Sequence, residues 1–134
     1  MTVTAPMLDA HPMDVPHLDP SRVRVCIDAC AECAQVCTAS ADACLSEHFL
    51  AGFRTYIRAN LDCADVCHAT GRVLSRHNGH GANLTRAVLE ACAVACRTCA
   101  DECASHADLH AHCRVCAEAC HRCETACRDL IAAL

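Results

Sequence analysis

Lysine and tryptophan are missing from this chain, and aromatic residues make up 2% of it, as Phe49, Phe53 and Tyr56. A core anchored on large rings is therefore excluded, and the apolar fraction of 54% rests on Ala, Val, Leu and Cys. Small side chains bury little apolar area each, so a core built from them alone is thin. Basic charge is sparse as well. Eleven arginines lie scattered in a chain of formal net charge −5, with no basic stripe. That pattern lacks the electrostatic footprint of a nucleic-acid binder. No stretch approaches 18 uncharged apolar residues, so no membrane span is expected. Strand alternation and Gly-rich phosphate loops are also missing.

What the chain does have is cysteine, 16 of 134 residues. In a short secreted protein that density reads as a disulfide scaffold. Here the first residues, MTVTAPMLDAHPMDVPHLDP, show neither a basic n-region nor an apolar run, so no signal peptide is expected. The expected compartment is the cytoplasm, where thiols stay reduced and cysteine-rich chains bind metal more often than they form disulfides. The length suits one domain with a single modest core.

The cysteines are periodic. Cys113, Cys116, Cys120, Cys123 and Cys127 are separated by 3, 4, 3 and 4 residues. A mean step of about 3.5 places all of them on one stripe of a helix. Arg114, Glu118, Arg122, Glu124 and Arg128 fall between them and are expected on the wet face, with Glu118–Arg122 and Glu124–Arg128 as i,i+4 pairs. Cys26, Cys30, Cys33, Cys37 and Cys44 repeat the design, as do Cys92, Cys96, Cys99 and Cys103, while Cys63 and Cys67 form a shorter version. These are internal repeats of one helix.

Punctuation divides the chain accordingly. Residues 1–18 contain three of the four prolines, together with His11 and His17, and read as a flexible N-terminal tail. Asp19-Pro20-Ser21 is a helix start, with Asp19 as N-cap and Pro20 at the first helical position. The first helix is predicted to run to about His48, followed by a turn over Phe49–Gly52. A second runs from about Phe53 to His77, and Asn78-Gly79-His80-Gly81 closes it. Asn83 and Asp108 are candidate caps for the third and fourth helices. Four helices of about 25 residues with short connections predict an all-α, antiparallel up-and-down four-helix bundle with a Cys-lined core, spanning 19–134.

Thiols at this spacing point to metal. Side chains at i and i+4 have Cβ atoms about 5–6 Å apart, so two sulfurs converge on one ion without bending the helix. A disulfide needs Cβ atoms at about 3.8 Å with a set torsion. Thiolates free of carboxylates select Cu(I), Zn(II) or iron–sulfur clusters. Structural zinc closes sets of four ligands, usually on turns, and iron–sulfur clusters favour a C-x2-C-x2-C loop. Neither pattern is present. Two thiolates hold Cu(I) linearly, and one Cu(I) per thiolate leaves the buried core neutral, which matters because uncompensated buried charge is costly. Capacity by that balance is on the order of the cysteine count, about 16 per chain.

Continuing the stripes past the cysteines reaches His48, His106 and His110, which an up-and-down bundle brings to one end, with His112 beside them. These are the candidate entry ligands. Asn60, three residues before Cys63, is a candidate oxygen donor. The opposite end collects Val23, Leu74, Leu89 and Leu130. His68, His77, His80 and His121 fall off the stripes or at this plugged end.

The pairs Cys26/Cys30, Cys33/Cys37, Cys63/Cys67, Cys92/Cys96, Cys99/Cys103, Cys116/Cys120 and Cys123/Cys127, all C-x3-C, resemble those of the copper storage proteins, specifically their cytosolic branch. The resemblance implies a bundle filled with many Cu(I) ions bridged by such pairs, histidine ligands near the open end, and assembly as a homotetramer. A copper chaperone is a candidate partner. The alternative in the same class is a metallothionein-like buffer for Zn(II) or Cd(II). Catalysis is not expected, because copper enzymes need an open, His-rich site with few thiolates. A purely structural bundle would carry no metal with its paired cysteines intact or replaced by serine.

Overall fold

The structure is a computed structural model of the chain, and it describes residues 2–13, 18–48, 50–79, 81–106 and 110–134. Five α-helices follow in order: α1 (Thr4–Ala10), α2 (Pro20–Leu45), α3 (Arg54–Leu74), α4 (Ala82–Ala104) and α5 (Ala111–Ala132), with a 3₁₀ turn at Leu50–Phe53 ahead of α3. The four long helices form a square. Helix α2 packs on α3 and α5, α4 packs on the same two, and the diagonal pairs α2–α4 and α3–α5 stay apart. Neighbours in sequence are neighbours in space, which is the up-and-down arrangement that short connections impose. Among the described residues there is no strand.

Asp19 caps α2 as its sequence predicts: its Oδ1 accepts from the Ser21 N–H at 2.9 Å and the Arg22 N–H at 3.4 Å, with Pro20 in the first turn. The helix ends at Leu45, three residues short of the expected His48. Helix α3 begins one residue later than expected, because the turn before it is 3₁₀, and it ends at Leu74 rather than His77. Helix α4 begins at Ala82, so Gly81 is its N-cap and Asn83 lies inside the first turn. Asp108, the other candidate cap, lies outside the described residues, as do Phe49, His17 and His80. The N-cap of α5 is His110.

Three further expectations change. The stretch before Asp19, read as a loose tail, contains α1. Thr4 Oγ1 donates to Asp28 Oδ1 at 2.6 Å and Thr2 Oγ1 to Asp28 Oδ2 at 3.2 Å, tying this helix to the flank of α2. Pro6 is tolerated in the first turn, where backbone N–H groups have no intrahelical partner. Glu124, assigned to the wet face, is buried. It sits between the Cys120 and Cys127 positions on α5, and Arg128 reaches it at 2.9 Å. Arg122 crosses to Glu32 of α2 instead of pairing with Glu118.

The core is a column of cysteine with one aliphatic end. Every one of the 16 cysteines is fully buried. Val23, Leu74, Leu89 and Leu130 close one end, each buried to 2% exposure or less, and Leu18 joins them.

Candidate metal centre

The stripes turn inward as the spacing demands. Within α2, Cys33 and Cys37 Sγ atoms are 3.8 Å apart, and Cys63–Cys67 and Cys99–Cys103 repeat that separation. Neighbouring helices interlock: Cys33 Sγ lies 3.8 Å from both Cys63 and Cys120. Sulfurs also meet across the diagonals, where the backbones do not. Cys37 is 3.8 Å from Cys99, Cys30 is 4.0 Å from Cys92, and Cys67 is 3.9 Å from Cys123.

All these distances are about twice a disulfide bond, and every thiol is free. They fit a bridging ion. Sulfurs about 2.3 Å from a shared metal stand about 4 Å apart in trigonal coordination and about 4.6 Å apart in linear coordination. Overlapping quartets run the length of the column, including Cys37, Cys99, Cys116 and Cys120, then Cys33, Cys63, Cys67 and Cys96, then Cys30, Cys92, Cys123 and Cys127, each set lying within 4.8 Å. Cys26 and Cys127 pair at 3.7 Å near the aliphatic end.

Protonation follows from the packing. Burial pushes the Cys44 thiol up to about 12, with the nearby Cys113, Cys103 and Glu47 adding to the rise. Cys113 is raised by burial too, against a bond from Tyr56 that lowers it. Hydrogen bonding with Cys123, more than burial, raises Cys30. Neighbouring sulfurs divide in direction: hydrogen bonding with Cys120 lowers Cys33, and hydrogen bonding with Cys123 lowers Cys92. Each ion that binds displaces protons.

Asn60 sits where its stripe puts it, fully buried, with Oδ1 accepting from Cys116 at 3.1 Å and Cys99 at 3.2 Å. Its Nδ2 has no hydrogen-bond partner among the described residues. The carbonyl end is therefore what anchors this side chain beside the sulfurs.

The other end of the column, around Cys44, Cys103 and Cys113, carries the imidazoles. His106 rests against Phe53 and Tyr56, with ring centroids 4.9 and 5.4 Å away. His110 packs edge-on to Phe53 at 5.2 Å, and its Nδ1 is 3.1 Å from Glu47 Oε1. His112 reaches the same carboxylate oxygen through Nε2 at 3.2 Å, and its Nδ1 lies 3.1 Å from Ser40 Oγ and 3.7 Å from Cys113 Sγ. His48 is exposed. The structure therefore gathers His106, His110 and His112 around the three outermost cysteines.

Three groups here escaped the sequence reading. Ser40 and Tyr56 share a 2.8 Å hydrogen bond, the Cys103 thiol donates to Tyr56 Oη at 3.3 Å, and Glu47 holds two histidines. Part of the signal was available. The seven-residue step from Cys37 to Cys44 omits one stripe position, and Ser40 fills it. Tyr56 lies four residues before Asn60 on the α3 stripe. Nothing in the spacing marks Glu47.

A helical square lined from end to end by contiguous buried thiols, aliphatic at one end and imidazole-bearing at the other, defines a container for soft metal ions. The family model for copper storage proteins (Csp) matches residues 19–132, and the chain belongs to that family. It resembles the copper storage protein Ccsp of Streptomyces lividans, solved with 10 copper equivalents loaded, with a TM-score of 0.96, 55% identity, and 98% of this chain and 99% of that one covered. A structure described as copper loading to a cytosolic copper storage protein from Streptomyces lividans, with five coppers, matches at TM-score 0.84 and 60% identity, covering 85% of this chain and 95% of that one. A curated relative, the uncharacterized cysteine-rich protein YhjQ of Bacillus subtilis (strain 168), is 33% identical over 110 residues, 80% of this chain and 94% of the relative.

Proposed function

We propose that this chain stores Cu(I) in bulk, with its 16 cysteines as the ligands and residues 19–134 as the metal-binding unit. The observation that carries this reading is sulfur contact at 3.7–4.0 Å within, between and diagonally across the four helices. Moving a 3.8 Å pair to the roughly 4.6 Å of linear two-thiolate coordination takes under about 1 Å of side-chain adjustment. A monovalent ion per thiolate also keeps the sealed column neutral, whereas divalent ions in four-thiolate sets leave it anionic.

His106 and His110, with His48 further out, are read as entry ligands, handing ions inward to Cys103 and Cys113. The role is binding, not catalysis: the histidines lead into a thiolate column instead of facing an open substrate cleft. The cytoplasm is the compartment that keeps such thiols reduced, and it is the one stated for the loaded Streptomyces protein. Assembly as a homotetramer and delivery by a copper chaperone complete the proposal. No described helix is long and apolar enough to cross a membrane.

Anaerobic titration of the reduced protein with Cu(I), followed by metal counting, tests the reading. Uptake on the order of 16 ions per chain is expected. Saturation at one or two ions overturns it, and metal lost to a Zn(II) chelator but kept against a Cu(I) chelator would make the protein a Zn(II) or Cd(II) buffer instead.

A further inference from the structure

The aliphatic end of the bundle carries donor atoms that the sulfur column does not use. His11, just past α1, and His77, just past α3, meet with ring centroids 5.1 Å apart and planes inclined at 40°. Each ring is oriented by the backbone. The Met13 N–H donates to His11 Nδ1 at 3.0 Å. His77 Nε2 lies 3.1 Å from the Leu74 carbonyl, which only accepts, so that nitrogen carries the proton and Nδ1 presents its lone pair. An imidazole whose protonated nitrogen is anchored on a carbonyl is the arrangement that orients histidine toward a metal. Met13 and Asp9 line the same cavity as the two rings, a space of about 310 Å³.

We propose that His11 and His77 form a second, thiolate-free Cu(I) site at this end, completed by the Met13 thioether. An ion held by two imidazole nitrogens at about 2 Å each needs them within about 4 Å of one another, which centroids 5.1 Å apart permit. The donors are neutral and soft to borderline, the set that suits Cu(I), and Asp9 supplies a counter-charge nearby. Zinc would need a closed set of four. His77 binds through Nδ1 with no change of tautomer. His11 binds through Nε2: its proton moves to Nδ1, the bond from the Met13 N–H breaks, and the half-exposed Met13 is released to bring its sulfur to the ion. No proton leaves the protein in this step. Such a site holds copper less tightly than thiolates and exchanges it at the surface. The choice of ion rests on the storage reading above.

The test separates the two. The full chain is filled with Cu(I) against a competing chelator that only thiolates withstand. Further Cu(I) is then added without chelator, while bound metal is counted and the imidazole ¹H–¹⁵N signals are recorded. Wild type is expected to take up one more ion than His11→Ala/His77→Ala, with equal filling of the column, and the ring signals of His11 and His77 are expected to move in that last step. Met13→Leu should weaken this last ion about tenfold. Equal counts, or movement only at the exposed His48, His68 and His121, overturn the site and leave the storage reading standing. A column that does not fill sinks the storage reading, and the ring signals still decide the site: if they do not respond at any copper addition, it falls as well.

Discussion

Cys44 shows what burial does to a thiol at the rim of the column. Its folded-state pKa stands near 12, above the ordinary thiol range, chiefly because burial disfavours the thiolate. The unfolded chain therefore loses this proton first as pH rises. The stability associated with Cys44 is fully present below the unfolded value of about 8.5 and drains away as pH climbs from there through about 12. Urea unfolding of the metal-free protein should accordingly show a lower midpoint at about pH 10 than at about pH 8, and an unchanged midpoint would argue that this thiol titrates normally. Copper binding has the opposite trend: an ion that displaces one such proton binds about tenfold more tightly per unit rise in pH. Beside it, aromatic rings hold the His106 and His110 side chains, Glu47 holds His110, and the His110 N–H donates to the His106 carbonyl at 3.1 Å. Replacing His48, His106 and His110 with Phe should slow Cu(I) uptake in stopped-flow measurements and leave the final count nearly unchanged. Uptake at the original rate would leave these histidines without an entry role.

At the scale of the element, each long helix was legible wherever its residues repeat every 3.5. The α2, α4 and α5 cysteines announce their own buried faces, and Asp19 with Pro20 marks where α2 begins. Removing that cap is a clean local test: Asp19→Ala takes the acceptor away from the Ser21 and Arg22 N–H donors and should cost about 1 kcal/mol, seen as a fall in Tm of the metal-free protein of about 3–5 °C. A melt within a degree of wild type would mean that water caps the helix as well as Asp19 does. What was not legible depends on contacts between elements. Helix α1 is seven residues long with none buried, so it has no periodic signal, and its anchor is a threonine–aspartate contact across 24 positions. Glu124 is buried because α5 meets two neighbours and so hides a wider arc than its cysteines alone define. Asn83 gave way to Gly81 as cap because a helix start is fixed by backbone conformation, extended at Gly81, and several polar residues compete for it. Glu47 became part of the mouth only when the fold set two histidines from α5 against the end of α2.

For the whole molecule, the proposed function makes the same side chains both core and cargo hold. An empty column contributes only the modest burial of small residues. A filled one adds metal–thiolate bonds joining all four helices, and ligand binding to the folded state alone stabilises it by about 2.7 kcal/mol for each site held at a hundred times its Kd. Thermal melts should therefore rise steeply and progressively with copper equivalents, and a Cu(I) chelator should reverse the rise. A melting point indifferent to loading would place the metal outside the bundle.

The diagonal sulfur contacts also make the empty protein the fragile one. Every thiol in such a contact has a neighbour needing only about 1.8 Å of approach to become a covalent crosslink, so an oxidant would retire storage positions two at a time and brace opposite helices together. A cell that keeps vacant chains in reserve must therefore spend reductant to keep them fit for use, while occupied chains guard their own ligands.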